Sequence, residues 1–187
     1  MEETPVRDQI IALLPNLRAF ARSLAHDPAR ADDLVQDTLV KALSNLDKFR
    51  DGTNLKAWLF TILRNTFYSD GRRRWREVAD TDGEHALKLA SRPAQLDAMD
   101  LSDFSQALAE IGDEQREALI LVAASGFSYE EAAEICGCAV GTVKSRVNRA
   151  RQRLVEMLGL DPENDLGDDG SMEAAVAAAT LPAAASG

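Results

Sequence analysis

The chain has 187 residues, 45% hydrophobic and 5% aromatic, which suffices for one modest core or two small ones and excludes a large enzyme fold. Its formal net charge of -10 argues at long range against a nucleic-acid partner. Regional counting removes that objection, because residues 56–76 hold six bases and one acid, and residues 137–155 hold five bases and no acid, so two basic blocks stand against an acidic remainder.

Ile10, Ile11, Leu14, Leu17, Phe20, Ala21 and Leu24 recur at helical spacing until Asp27-Pro28 breaks the pattern, so the first helix is predicted to end near Ala25. A second helix is predicted from about Ala29 to Leu46. Its inward residues are Ala31, Leu34, Val35, Thr38, Leu39, Ala42 and Leu46, which leaves Asp33, Gln36, Asp37 and Val40 as an outward stripe. The turn at 49–54 contains the Asp51-Gly52 pair that a tight loop needs. A third helix follows from Leu55 to about Trp75, with Trp58, Leu59, Ile62, Leu63 and Phe67 inward. Residues 77–102 are polar and acidic with Gly83 and Pro93, and read as a linker between two domains.

Periodicity restarts at Phe104, Leu108, Ile111, Ala118, Leu119, Leu121 and Val122. Ser128 with Glu131 three residues on has the form of a helix N-terminus. A helix at 129–135, a Cys136-Gly137-Cys138 turn and a basic helix then follow the order of a helix-turn-helix. In the basic helix Val140, Val143, Val147, Ala150 and Leu154 form one apolar stripe. Lys144, Ser145, Asn148, Arg149 and Gln152 point away from it, and Thr142, Arg146, Arg151 and Arg153 lie on the flanks, where phosphates run beside a helix in a major groove. Arg146, near the apolar stripe, has Glu130 or Glu134 of the preceding helix as an alternative partner. Beyond Leu160 the chain is Asp/Gly-rich and then Ala-rich, without an apolar face, and disorder is expected there.

Cys136 and Cys138 have no further Cys or nearby His to complete a four-ligand zinc site, so no metal is expected and the thiols read as reduced turn residues. No Ser-His-Asp, Cys-His or carboxylate-pair arrangement stands out, and His26 and His85 fall in a helix end and the linker, so catalysis by this chain is not expected. No apolar run approaches the roughly 20 residues that span a bilayer, and the N-terminus has acids where a signal peptide has bases. A soluble cytoplasmic protein is expected.

A basic helix-turn-helix alone is shared by repressors, response regulators and sigma factors. The order of the other segments narrows the choice. Asp32-Asp33-Leu34-Val35-Gln36-Asp37-Thr38-Leu39-Val40-Lys41-Ala42, Phe49-Arg50 and Leu55-Lys56-Ala57-Trp58-Leu59-Phe60-Thr61-Ile62-Leu63-Arg64-Asn65 resemble the region 2 signature of the extracytoplasmic-function (ECF) sigma factors of bacterial RNA polymerase. Gly126-Phe127-Ser128-Tyr129-Glu130-Glu131-Ala132-Ala133 and Val140-Gly141-Thr142-Val143-Lys144-Ser145-Arg146 resemble region 4 of the same family. The likeness covers nearly everything from residue 10 to 158, in family order.

The resemblance implies an all-α fold of two small helical domains: region 2 at 1–76, a flexible acidic linker at 77–102, region 4 at 103–160 and a tail at 161–187. It implies that Asp33, Gln36, Asp37 and Val40 dock on the clamp helices of the polymerase largest subunit. It assigns the -10 element to the loop residues Phe49, Arg50, Gly52 and Asn54 and to Arg64, Asn65, Tyr68, Arg72, Arg73 and Arg74, a base pocket with cations along the strand. Trp58, in phase with Leu59 and Ile62, reads instead as core, and Phe49 has the same alternative. The -35 readers map to Lys144, Ser145, Asn148 and Arg149, with Thr142, Arg146, Arg151 and Arg153 around them. The implied partners are core RNA polymerase, promoter DNA and a small anti-sigma protein, with no cofactor and no membrane. Region 2 and the short tail are similar to the general-stress branch of the family. Two rival readings are a sigma-like decoy that sequesters an anti-sigma protein and a stand-alone helix-turn-helix regulator; the latter leaves the signature at 32–76 unexplained.

Overall fold

A computed structural model describes residues 5–25, 27–50, 52–79, 99–159 and 176, with backbone alone for 73–79 and 99–102. The described residues are helical and contain no strand. Helices α1 (Val6–Ala12), α2 (Leu14–Ala25), α3 (Pro28–Ser44) and α4 (Leu55–Ala79) form the first half, with a 3-10 turn at Leu46–Lys48. Helices α5 (Met99–Glu110), α6 (Asp113–Leu119), α7 (Tyr129–Cys136) and α8 (Val140–Leu158) form the second, and a π-helical turn at Ile120–Ala124 continues α6.

The single first helix expected from periodicity is two helices, broken at Leu13. Pro15 explains the break: without an amide hydrogen it fits the first turn of a helix and cannot sit in the middle of one. Helix α3 starts cleanly because Asp27 accepts a bond from the Arg30 amide at 2.8 Å and Pro28 occupies the first helical position. It stops at Ser44, two residues short of the expected end, where the Asn45 amide group donates to the Lys41 carbonyl at 2.8 Å. Helix α4 runs to Ala79, past the expected Trp75.

In the first half α2, α3 and α4 pack on one another; in the second, α5, α6 and α7 pack around α8. The α8 stripe lies where its period places it, with Val143, Val147, Ala150 and Leu154 all buried. The turn before α8 needs a left-handed residue, and Gly137 supplies it at φ +64°, letting the Cys138 amide donate back to the Ala133 carbonyl at 3.1 Å. Helix α7 begins with a capping box in which the Glu131 amide donates to Ser128 Oγ (3.1 Å) and the Ser128 amide to Glu131 Oε2 (2.9 Å). Ser128→Ala is therefore expected to cost about 1 kcal/mol, seen as a lower urea midpoint at unchanged slope.

The two halves share one continuous core. Phe60 of α4 stacks on Phe20 of α2 (centroids 4.9 Å) and meets Phe127 of the second half edge-on (5.0 Å). Arg116 is buried within α6, and its Nε donates to the Ser23 carbonyl at the end of α2 (2.9 Å) while its other nitrogens reach the Ile111 carbonyl and Asp113. A buried guanidinium needs such a full set of acceptors. The sequence left open whether the free protein is compact or splayed; here it is compact. In the tail, Val176 is helical and fully buried, so the chain is docked at that position. The linker residues 80–98, the rest of the tail, His26 and the side chains of Arg73 and Arg74 lie outside the described residues.

Candidate nucleic-acid and polymerase interface

Three faces hold the residues singled out by the sequence. On α8 the burial of Val143, Val147, Ala150 and Leu154 turns Thr142, Lys144, Ser145, Asn148, Arg149 and Arg153 to solvent. Lys144 Nζ sits 5.6 Å from the centre of the Tyr129 ring, an attraction that steadies the start of the exposed basic face. Arg153 pairs with Glu156 at 3.2 Å in the open, a contact too exposed to hold it against a phosphate. Arg151 is half-buried. Arg146 differs from expectation. It is half-buried, donates to Glu114 of α6 at 2.5 Å and approaches Cys138 Sγ at 3.7 Å, rather than pairing with Glu130 or Glu134. The reason is geometric: α8 packs along α6, so the flank residue faces the first turn of α6 instead of α7.

The second face lies on the loop at 49–54 and α4. Arg50, Gly52 and Asn54 are exposed, and Thr53 closes the turn by donating its amide (3.1 Å) and hydroxyl (2.7 Å) to the Arg50 carbonyl. Gly52 has φ +84°, a conformation that side chains rarely adopt. Phe49 is half-buried against Trp58 at 5.3 Å between ring centres, so both serve as packing at the loop base. Asn54 Oδ1 caps α4 by accepting from the Ala57 amide (3.1 Å), and its Nδ2 donates to Glu131 Oε1 (2.6 Å). Asn65 and Arg72 are exposed.

Arg64 and Tyr68 do not face open solvent. Arg64 Nε donates to Glu117 Oε1 at 2.8 Å, Tyr68 donates its hydroxyl to Glu117 Oε2 at 3.2 Å, and the guanidinium lies 4.6 Å from the Tyr68 ring centre. Burial pushes the Glu117 carboxyl up, with Arg64 and Tyr68 pulling it back. Partial burial opposes the Arg64 charge, and Glu117 more than offsets it, so the guanidinium pKa is raised. Burial, reinforced by Glu117, pushes the Tyr68 phenol up. Lys56 is lowered by burial against the pull of Glu131; its ammonium donates to the Ser125 carbonyl and lies 4.8 Å from the Phe127 ring centre. Sequence reasoning missed Glu117. The available signal is an acid directly ahead of the apolar run 118–123, a place where a solvated charge is out of keeping.

The third face is the outward stripe of α3. Asp33, Gln36 and Asp37 are exposed, and Val40 is 63% exposed. Leu43, 50% exposed, continues the stripe by one helical step and was not anticipated. A shallow groove between α3 and α4, lined by Arg30, Asp33, Gln36, Asp37, Phe67 and Asp70, runs beside it. Exposed aliphatics among acids suit a partner surface that is basic and partly apolar.

Cys136 is buried and its thiol is pushed up to about 12, by burial and then by Glu117. Among the described residues no group of three His, Cys, Asp or Glu is placed to hold a metal ion. No described helix is long and apolar enough to cross a membrane.

Comparison with known proteins agrees with this arrangement. Residues 10–77 match the family Sigma-70 region 2, and residues 101–154 match Sigma-70, region 4. The chain is 57% identical over 171 residues to the ECF RNA polymerase sigma factor EcfG of Rhodopseudomonas palustris, covering 91% of this chain and 94% of that one. It is 36% identical over 132 residues to the ECF RNA polymerase sigma factor SigC of Mycobacterium tuberculosis, covering 69% and 70%. Its fold matches the sigma factor RpoE of Bartonella quintana, solved in complex with the anti-sigma factor NepR, with a TM-score of 0.75 and 57% identity over 83% of this chain and 98% of that one. Two regions in family order, each on its own helical half, and identity across nearly the whole length make this chain a member of the ECF RNA polymerase sigma factors.

Proposed function

We propose that the chain lends promoter specificity to core RNA polymerase by dividing the work among its three faces. Asp33, Gln36, Asp37 and Val40 dock on the clamp helices of the polymerase largest subunit. The loop at 49–54 captures a base of the opened -10 element, and Arg64, Asn65, Tyr68 and Arg72 to Arg74 hold that strand. On α8, Lys144, Ser145, Asn148 and Arg149 read base edges of the -35 element, while Thr142, Arg151 and Arg153 meet phosphates. Arg146, bound to Glu114, belongs with the phosphate contacts and must trade its partner for them. The working modules are 1–76 and 103–160, joined by the acidic linker at 77–102 and followed by the tail at 161–187. The chain itself catalyses nothing, and it acts in the cytoplasm on a stress regulon, held inactive by a small anti-sigma protein. The relative RpoE, solved with NepR, supports that last step.

The observation that carries this reading is α8: Val143, Val147, Ala150 and Leu154 of its apolar stripe are buried while its remaining faces are mainly polar and cationic, without one acid before Glu156. Run-off transcription with purified core polymerase on a genomic promoter library tests it. Transcripts from a shared -35/-10 pair are expected. Absence of both core binding and transcripts, with tight capture of a small protein, would make the chain a decoy. For the first face, the double variant Asp33→Lys, Asp37→Lys is expected to weaken core binding at least about tenfold by placing like charges against a basic surface, measured by fluorescence anisotropy of the labelled chain. Unchanged binding would move the docking surface off α3.

A further inference from the structure

Of the α4 residues assigned above to the opened strand, Arg64 and Tyr68 are covered by the region 4 half, while Asn65 and Arg72 are exposed. Lys56, Phe60, Arg64 and Tyr68 recur every four residues, and each meets that half: at the Ser125 carbonyl, the Phe127 ring, and twice at Glu117. Asn54, at the head of the same helix, meets Glu131. Both oxygens of Glu117 are engaged, and its side chain is 0% exposed against 17% for Arg64.

A carboxylate held between a guanidinium and a phenol has the charge and acceptor pattern of a nucleic-acid phosphate at the same two donors. Likewise Glu131 Oε1 takes the amide donor that Asn54 would otherwise offer to a base edge. We propose that Glu117, supported by Glu131, is a built-in competitor for the single-strand site, so that the free chain is closed to the -10 strand until the region 4 half moves away. The inference rests on the assignment of Asn54, Arg64 and Tyr68 to that strand. Closed and strand-bound forms exclude each other, because the donors of Arg64 and Tyr68 that face Glu117 cannot face a phosphate at once. Affinity for single strands is then lowered in proportion to the fraction of molecules that are open. Opening the lock costs little net energy, since the attraction in a buried pair is largely spent on desolvating its members.

The test uses the full chain and short labelled single-stranded DNA of randomised sequence. Glu117→Ala removes the competitor and leaves Arg64 without its carboxylate; Glu117→Asp keeps the charge and draws it back by one methylene. Glu117→Ala is expected to bind at least about tenfold tighter than the parent, with a larger radius of gyration in small-angle scattering and unchanged helical circular dichroism. Glu117→Asp should fall between the two. Arg64→Ala should weaken binding in the Glu117→Ala background, where no lock remains for it to open. If both Glu117 variants are folded and bind like the parent while Arg64→Ala weakens binding, the strand site stands and the competitor is refuted. If Arg64→Ala has no effect in the Glu117→Ala background, the strand assignment falls and the competitor falls with it. Should Glu117→Ala lose its helical signal, Glu117→Asp decides alone: tighter binding supports the competitor and parental binding overturns it.

Discussion

Phe60→Ala is expected to lower the unfolding free energy by about 3–5 kcal/mol, the range for removing a buried aromatic ring from a packed core. Phe60 has no exposed surface, and its ring is the place where α2, α4 and the segment ahead of α7 meet. Alanine leaves a void that Phe20 and Phe127 cannot both fill, because each is held by its own half. The loss therefore falls on the seam between halves as well as on the first half. Urea denaturation followed by circular dichroism should show the lowered midpoint together with a broadened transition, as the halves begin to unfold separately. A loss below about 1 kcal/mol with one sharp transition would mean that the ring is not the joint between them.

The second large effect concerns α8. Arg149→Ala is expected to cost about 1–3 kcal/mol of discrimination, or roughly 5- to 150-fold in transcription from promoters with guanine at the contacted position. The argument rests on position: Arg149 is exposed on the face opposite Val143 and Val147, with Asn148 beside it and Ser145 one turn before. Arg153→Ala, one turn further on, should lower output more evenly across promoters and flatten its salt dependence. Run-off transcription over a -35 library separates the two outcomes. An even decline for Arg149→Ala would place that side chain on the backbone instead of the bases.

The elements that were legible in the sequence are those whose cause is local. The α8 stripe is set by a 3.6-residue period, the start of α7 by the Ser128 and Glu131 pair, and the turn between them by Gly137; the structure has all three where the sequence puts them. The split at Leu13 is also locally caused, by Pro15, but the apolar period runs through the proline without a break and masks it. What stayed hidden is long-range. Arg64 finds Glu117 across 53 residues, Asn54 finds Glu131 across 77, and Arg116 finds the Ser23 carbonyl across 93. Charge patterning counts such residues as solvated, since nothing in their neighbours records what another half will bring against them. The alternative partners offered for Arg146, Glu130 and Glu134, missed for the same reason: its partner lies on α6, not on the preceding helix α7. Leu43 is different: the outward stripe is read as ending at Val40, one helical step before it.

At Ile120–Ala124 the backbone takes a π-helical turn, in which the Ser125 amide reaches back five residues to the Ile120 carbonyl at 2.9 Å. The wider turn takes up one residue more than an ordinary α-helical turn does. Were the same five residues wound as ordinary α-helix, about 100° to a residue, everything downstream would swing round, carrying the Ser125 carbonyl off Lys56 and Phe127 off Phe60. Aliphatic exchanges in this segment keep the wide turn and should pass with small losses, whereas winding it as α-helix without shortening it lifts residues 125–127 off α4. At this bend, spacing is under tighter constraint than chemistry.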